Sequence, residues 1–235
     1  MKLKEAMAAL AAKGSESVKV LWLKHGAKEP FFGVKIGDLK PLARKLKGEQ
    51  ALALELYATG NGDAQYLAGM VADGAAMTRA QLQSWADGAA WRMISATIVP
   101  WVVSENAEGF AVAMKWIDSP KESLAIAGWH SLGALVTVRP DAELPIKELG
   151  ALLDRIAKML PQAPNRVRQA MNSFVISCGT YVAPLGANAI ATARKLGQVE
   201  VDVGDTDCRI PDAESYIMKS RRGAPIAPKR KTVRC

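Results

Sequence analysis

Apolar residues recur along this chain at the three- and four-residue spacing of amphipathic helices, and glycines or capping residues separate one apolar stretch from the next. Residues 2–13 form the first predicted helix, which Gly14 ends, and a second follows from Ser15 or Ser17 to Gly26. The same pattern predicts further helices over 38–47, 49–59, 63–73, 78–87, 89–104, 107–117, 119–136, 146–160, 165–178, 184–196 and 212–222.

Three local signals sharpen these helix predictions. Thr78 and Gln81 have the spacing of a capping box at the start of a helix. Ser119 and Pro120, with Glu122 three residues after the serine, combine a cap, a proline in the first turn and a reciprocal acceptor. Pro100 interrupts the long apolar stretch over 89–104, so that helix should kink or break there.

The region after residue 197 departs from the helical pattern. Residues 198–204 alternate apolar and polar side chains, which predicts an extended strand or a loop within the segment 198–212. The last residues, 223–235, contain two prolines and four basic side chains, and we expect them to be a flexible basic tail. The remaining residues, 1–222, are predicted to form a single domain.

Helices of this length joined by short loops, without a strand pattern before residue 198, predict an all-α protein. The helices pair with a period of roughly 35–40 residues, which is the range of HEAT-type repeats. We therefore predict a HEAT-like helical-repeat solenoid, an α-α superhelix with a short extended segment near its C-terminus. Because the repeats are not identical, an irregular helical domain is the alternative.

The charge is unevenly distributed along the sequence. Residues 1–47 carry a net charge of +7, residues 219–235 carry +7, and the stretch between them carries −6. Basic ends on a mildly acidic body suit a polyanion such as DNA, although solvated helix faces and a solubilising tail would produce the same composition. The candidate DNA-binding residues are Lys35, Lys40, Arg44, Lys45, Lys47, Arg166, Arg168, Arg194, Lys195, Lys229, Arg230 and Lys231.

Few residues suit metal, cofactor or redox chemistry. The three cysteines are widely spaced, and the two histidines, His25 and His130, are far apart, so neither a disulfide framework nor a metal site is expected. No cofactor-binding motif is present, and no uninterrupted apolar stretch is long enough for a transmembrane helix. We expect a monomeric, cytoplasmic protein with reduced thiols.

Three segments together resemble the DNA alkylation repair (AlkD-like) family of helical-repeat proteins, which includes glycosylases for alkylated purines. The first is a valine-containing turn followed by a basic helix over 33–44, and the second is the Trp85 to Trp101 region. The third joins residues 165–172 to residues 204–212. The resemblance covers about residues 15–222 and implies a DNA-binding solenoid.

The resemblance implies a glycosylase site made of a Trp, an Asp four residues later, an Arg on the next repeat and a second Trp. Trp91 matches the first Trp, but Ser95 stands at the position of the Asp. No Arg stands near Ser123, and no Trp stands at 172–174. A hydroxyl cannot stabilise the positive charge that develops on the sugar as the base leaves. Asp73 and Asp87 are the nearest alternative carboxylates.

Two functions are consistent with these residues. The first is a DNA-binding repeat protein, with Trp91 as a DNA contact, that could be an alkylpurine DNA glycosylase although the family's catalytic Asp and Arg are missing. The second is a non-enzymatic scaffold that binds a protein partner in its groove. The tryptophans, which could stack on a base, are more often core residues at helical spacing.

Overall fold

The computed structural model describes residues 1–234, and these residues are helical without any β-strand. A single isolated antiparallel bridge pairs Gly14 with Val34. The α-helices are α1 (Leu3–Ala11), α2 (Glu16–Lys24), α3 (Ile36–Lys45), α4 (Gln50–Ala58), α5 (Gly62–Val71), α6 (Arg79–Asp87), α7 (Val99–Glu105), α8 (Gly109–Trp116), α9 (Glu122–Val138), α10 (Ile146–Met159), α11 (Asn165–Tyr181), α12 (Gly186–Leu196) and α13 (Ala213–Arg221).

The predicted all-α stack of helices is confirmed, and most predicted helices agree with the observed bounds to within a few residues. The capping box of α6 is present, with Thr78 accepting from the N–H of Gln81 and the Gln81 side chain reaching back to Thr78. The signal at Ser119 acts differently, because Ser119 accepts from the N–H of Lys121 and α9 begins only at Glu122. A turn therefore precedes this helix where the sequence predicts a cap.

Pro100 lies where one type of helix gives way to another. A π-helical segment, Ile94–Ile98, is followed directly by α7, and Pro100 is in the first turn of α7. Proline has no N–H to donate to the carbonyl four residues earlier, and π turns use a wider hydrogen-bond spacing. At the position of the predicted kink or break, the chain therefore changes from a π-helix to an α-helix.

The helices form two layers. In the inner layer the π segment with α7 packs on α5 and α9, and α9 packs on α11. Helices α4, α6 and α8 pack on α5, α7 and α9 respectively, while α10 packs on α12, which covers α11. One continuous cluster of buried side chains extends through the molecule from Ala6 to Ile217.

Small residues allow the layers to approach closely. A Cβ atom at Gly128 of α9 would lie 2.7 Å from the backbone nitrogen of Ile117, which follows α8. Such a distance is shorter than van der Waals contact, so only glycine fits where these two helices meet. The abundance of alanine and glycine is therefore connected to the tight packing of helix on helix.

Residues 223–234, the segment predicted to be a flexible tail, pack along the body, and we call them the C-terminal strap. The N–H groups of Ala227 and Arg230 donate to Thr180 (2.9 Å) and Thr137 (3.0 Å), at the ends of α11 and α9. Farther on, Arg234 donates to carbonyls at Gly69 (2.6 Å) and Ala72 (2.7 Å), at the end of α5. The strap thus crosses the C-terminal ends of successive inner helices. Cys235 lies outside the described residues.

The structure contains neither a helix nor a strand between Gly197 and Pro211, so the extended segment predicted there is not confirmed. The loop is held against α11 by side-chain amides instead. Asn165 donates to the carbonyl of Asp202 (2.8 Å) and accepts from its N–H (2.8 Å), and Asn172 donates to the carbonyl of Pro211 (2.9 Å). These bonds replace the backbone pairing that a strand would require.

Within residues 1–234, no single helix combines the length and the apolar composition of a membrane span. One helix pair bent by 115°, 165–181 with 183–196, passes that test by length and composition only.

Candidate nucleic-acid interface

Two adjoining cavities border the inner helices, and we call them together the groove. The larger, of about 320 Å³, lies across α9 and α11 and is bordered by the strap. The smaller, of about 280 Å³, is lined by α2 and by the start of the π-helical region. Ala96 and Thr97 border both cavities, so the groove is continuous across the inner helices.

Trp91, the predicted DNA contact, lies in the wall of the smaller cavity but is only 5% exposed. Its ring packs against Trp22 with the centroids 5.1 Å apart. The other tryptophans are also buried; Trp85, for example, stacks on Tyr57 at 3.9 Å. The tryptophans are therefore core residues, and only a small part of the Trp91 side chain is exposed to the groove.

Ser95, at the position where the resemblance requires an Asp, is fully buried and does not line the groove. Its hydroxyl donates to the carbonyl of Arg92 (3.1 Å). The residues of this helix that do face the groove include Ala96 and Thr97, which carry no charge. No Asp or Glu of the described residues lines either cavity.

The two alternative carboxylates are engaged elsewhere. Asp73 accepts from the N–H of Ala75 (2.9 Å) and caps a short 3-10 helix. Asp87 accepts from Gln83 (2.8 Å) and forms an ion pair with Lys121 (3.4 Å). The bond from Gln83 and the nearby Lys121 hold the pKa of Asp87 below its ordinary value. Neither side chain borders the groove.

Arg92, which is not among the predicted DNA-binding residues, lines the smaller cavity. Its side chain has no hydrogen-bond or ion-pair partner within residues 1–234, and burial is the main cause that lowers its pKa, followed by the nearby charge of Arg166. In the larger cavity, burial and the charge of Arg92 lower the pKa of His130 to about 4. His130 is therefore neutral at pH 7. Arg92 directly follows Trp91, but the sequence did not indicate which way it faces.

Three of the predicted basic residues meet in one place. Lys40, Arg44 and Lys47 line an open cavity of about 460 Å³ together with Met70 and Val71 of α5. These three side chains form no ion pair, and no described carboxylate lines the cavity. The helical spacing that predicts a common face for them is confirmed. We call these three residues the α3 stripe; Lys35 and Lys45 are exposed nearby but do not line it.

The basic residues predicted near the end of the body do not form one patch. Arg194 donates two hydrogen bonds to Glu214 (2.7 and 2.9 Å), and this partner raises the pKa of Arg194. Arg168 donates to Asn165 (3.2 Å), and Lys195 is exposed. Only Arg166 is close enough to the groove to act on the pKa of Arg92.

The basic residues of the strap divide into bound and free. Lys229 donates to the carbonyl of Val136 (2.8 Å) and forms an ion pair with Asp141 (2.7 Å). The Arg230 side chain is exposed and borders the larger cavity, and Lys231 is exposed. Arg230 and Lys231 are therefore available for a polyanion, whereas the ammonium group of Lys229 has partners within the protein.

The turn at residues 32–34, part of the first segment that resembles the repair family, has a structural explanation. The buried Asp63 carboxylate accepts from the N–H groups of Phe32 (2.6 Å), Gly33 (3.0 Å) and Val34 (3.1 Å). Burial raises the pKa of Asp63, and these three bonds oppose that increase. Gly33 adopts a positive φ of 78°, which glycine tolerates best. This motif therefore positions α3 and its basic stripe.

The described residues contain no group of three or more His, Cys, Asp or Glu side chains able to hold a metal ion. Cys178 is buried, and burial raises the pKa of its thiol, while Cys208 is exposed.

Comparisons with known proteins agree with this architecture. The sequence is similar to Lin0241 of Listeria innocua, which is uncharacterized, with 33% identity over 217 residues, covering 90% of this chain and 93% of that protein. It is 31% identical to Lmo0209 of Listeria monocytogenes over the same proportions. One solved structure matches all of both chains with a TM-score of 0.90 and 36% identity. It is described as a new family of proteins related to the HEAT-like repeat DNA glycosylases with affinity for branched DNA structures.

The architecture of two helical layers is thus the HEAT-like repeat fold that the sequence predicts. The model of the family described as DNA alkylation repair enzyme matches residues 5–199, which is most of the chain. This protein belongs to the DNA alkylation repair enzyme family.

Proposed function

We propose that this protein binds DNA, and that it prefers branched DNA to linear duplex, without excising bases. A structure 36% identical to this chain over its whole length is described as having affinity for branched DNA, which supports the proposal. We further propose that the protein acts as a cytoplasmic monomer.

The observation that carries the binding proposal is the α3 stripe. Three unpaired cations face one open cavity, and a DNA backbone supplies phosphates that such cations neutralise with release of counterions. Several other cations of the protein, such as Arg155 with its partner Asp118, are already paired within the chain. Among residues 1–234 the stripe has no such partner, so its charge is available to a ligand.

The proposal that excision is absent rests on the carboxylate missing from the groove. The transition state for loss of a base carries positive charge on the sugar, and a well-placed group that stabilises such charge contributes ~3–4 kcal/mol. Since Ser95 is buried and neutral and the groove residues include no acid, this stabilisation is lacking. We expect release of alkylated purines from DNA at the uncatalysed rate.

A binding titration tests the first part. A labelled four-way junction and a linear duplex of equal length are titrated with the wild type and with the variant Lys40→Gln, Arg44→Gln, Lys47→Gln at several salt concentrations. We expect tighter binding of the junction. The variant should bind with a weaker affinity and a salt slope reduced by about 3, one unit for each phosphate that is no longer neutralised.

The matched control replaces Lys115, Lys147 and Lys158, exposed lysines of α8 and α10 in the outer layer, with Gln. It has the same net charge as the stripe variant, so an equal weakening of binding in both variants would refute a localised interface. Base release from methylated DNA is measured in parallel, and enzymatic release by the wild type would contradict the second part.

A scaffold for a protein partner is the second candidate, and the exposed apolar side chains of α2 favour it. Val20, Leu21 and Leu23 are 48%, 52% and 49% exposed, and Leu21 borders the groove. If the wild type fails to bind any DNA below ~100 mM salt, where binding to phosphates is strongest, the DNA proposal is rejected and the scaffold remains.

A further inference from the structure

Arg92 is the exception among the partly buried arginines of residues 1–234. Arg139, Arg155 and Arg234 each pair with a carboxylate, and Arg221 donates to the carbonyls of Gly179 and Gly186. Arg166 and Arg168 donate to side-chain amides. Arg92 alone in this set has neither an ion pair nor a hydrogen bond from its side chain.

The surroundings of Arg92 provide no negative charge within the groove. His130 on the neighbouring helix is neutral at pH 7. After burial, the charge of the second guanidinium, Arg166, lowers the pKa of Arg92 most, and Cys208 of the loop before α13 acts in the opposite direction. Arg166 is not neutralised either. The backbone N–H of Arg166 donates to the carboxylate of Glu122 (2.9 Å). Among the described residues, the guanidinium of Arg166 donates only to the neutral amide of Gln169 (3.1 Å).

The two arginines lie at the same edge of the inner layer. Arg92 is at the start of the helical segment that leads into α7, and Arg166 is in the first turn of α11. Helix α9 lies between these two helices, and its own first turn, near Ser123, is where the family resemblance would place an arginine. The arginine that the resemblance implies on α9 is therefore absent, and arginines stand instead on the two helices that pack against α9.

Two guanidinium groups held near one another without an anion repel, and removing part of their hydration costs additional free energy. A phosphate group reverses this balance, because its oxygens accept paired N–H groups from more than one guanidinium. The floor of the smaller cavity beside Arg92 is apolar, with Trp22, Trp91 and Met93, so water competes less there for the same donors.

We propose that Arg92 and Arg166 jointly bind one backbone phosphate of the DNA at the edge of the groove, opposite to the C-terminal strap. This inference rests on the proposed function, because it assigns a phosphate of the bound DNA to a particular pair of residues. The site is separate from the α3 stripe, which lines a different cavity together with Met70 and Val71 of α5. The bound DNA is thus held at two places, the edge of the groove and the α3 stripe.

Junction binding by Arg92→Gln, Arg166→Gln and the double variant tests the inference, with Lys115→Gln as the control for the loss of one charge. We expect Arg92→Gln to weaken binding roughly 10- to 100-fold and to reduce the salt slope by about 1, and the control to stay within about twofold of the wild type. Because both arginines bind one phosphate, the double variant should lose less than the product of the two single losses.

Thermal stability separates binding from a structural role. The Arg92 side chain has no hydrogen-bond or ion-pair partner among residues 1–234, so Arg92→Gln should melt at or above the temperature of the wild type. A lower melting temperature with unchanged affinity would overturn the inference in favour of a structural role. Arg92→Lys should keep the salt slope and lose part of the affinity, since lysine retains the charge but not the paired donors.

The outcomes distinguish this inference from the proposed function. If the wild type binds the junction and Arg92→Gln binds it as tightly as Lys115→Gln does, the shared phosphate site is wrong and the DNA proposal stands. If the wild type binds no DNA, both are wrong. Calorimetry measures whether the wild type and Arg92→Gln bind inorganic phosphate. If Arg92→Gln loses phosphate binding but binds DNA like the wild type, the two arginines bind a free anion and the assignment to DNA is overturned.

Discussion

At the scale of single residues, one buried carboxylate holds the turn that leads into α3. Asp63 is fully buried, and its two carboxylate oxygens accept from three successive N–H groups of the turn that leads into α3. Hydrogen bonds to a charged acceptor are about twice as strong as neutral ones, and a buried donor that loses its acceptor is costly.

Asp63→Asn should therefore reduce the free energy of unfolding by about 2–4 kcal/mol, because one oxygen becomes an NH₂ group that faces backbone donors. Denaturation by urea measures this loss. Asp154→Asn, at an exposed position of α10, is the matched control and should change stability by less than about 0.5 kcal/mol. Equal stability of both variants would contradict a role for Asp63 in holding the turn.

His130 has a consequence for the dependence of stability on pH. Its pKa in the folded protein is about 4, whereas an unfolded histidine titrates near 6.5, so between these values the unfolded chain binds more protons. Stability should consequently fall as the pH falls from about 6.5 to 4. In His130→Gln this part of the pH dependence should disappear, as thermal melts over that range would measure.

His25→Gln serves as the control for the pH experiment, because it removes the other histidine and leaves His130 in place. It should retain the wild-type decrease between pH 6.5 and 4. A His130→Gln variant whose stability still falls as steeply as that of the wild type would show that other groups cause the decrease.

The sequence predicts residue roles only where spacing constrains them. The helical spacing of Lys40, Arg44 and Lys47 is sufficient to place them on one face, and the sequence shows directly that a serine, Ser95, stands where the family resemblance implies an Asp. Arg92 lines the groove, but it is a single arginine without another basic residue at helical spacing, so the sequence does not indicate which way its side chain faces.

At the scale of elements, caps and glycines predict the helices well, because each helix end must satisfy its own free N–H and carbonyl groups locally. The strap and the loop before α13 have no such local signal. Prolines and basic residues over 223–234 are typical of a flexible tail. In the folded protein, however, free carbonyls at the C-terminal ends of three inner helices accept hydrogen bonds from this segment. These acceptors lie side by side only after the inner layer has formed.

The docking of the strap depends most on Arg234. Its guanidinium donates to both oxygens of Glu105 (2.7 and 2.5 Å) as well as to the two carbonyls at the end of α5. Arg234→Ala should lower stability by about 2 kcal/mol, or roughly 4–8 °C in melting temperature, and speed proteolysis within the strap.

Lys231→Ala is the control for this experiment, since Lys231 belongs to the same strap and is exposed. It should melt and resist protease like the wild type. If Arg234→Ala also does so, the strap does not depend on that side chain for its position, and the tail behaves as the sequence alone predicts.

At the scale of the whole molecule, the sequence indicates basic ends on an acidic body but not how they are arranged. The fold uses the two ends differently: α3 presents unpaired cations, whereas much of the C-terminal charge is neutralised by helix ends and by Asp141 and Glu105. The net charge therefore overestimates how much of the molecule attracts DNA. Which basic residues remain free follows only from packing between distant parts of the chain.

The strap also bears on how this repeat array comes apart. Stacked repeats contact mainly their neighbours, so such arrays behave almost as one-dimensional chains and unravel from either end. Here Arg234 and Gly69 are 165 residues apart in sequence and hydrogen-bonded in space. Fraying of the last repeat should consequently release α5, and Arg234→Ala should accelerate hydrogen exchange at the amides of α5 along with those of α13. We expect the strap to make the two ends of this linear array unfold together, as the parts of a closed ring would.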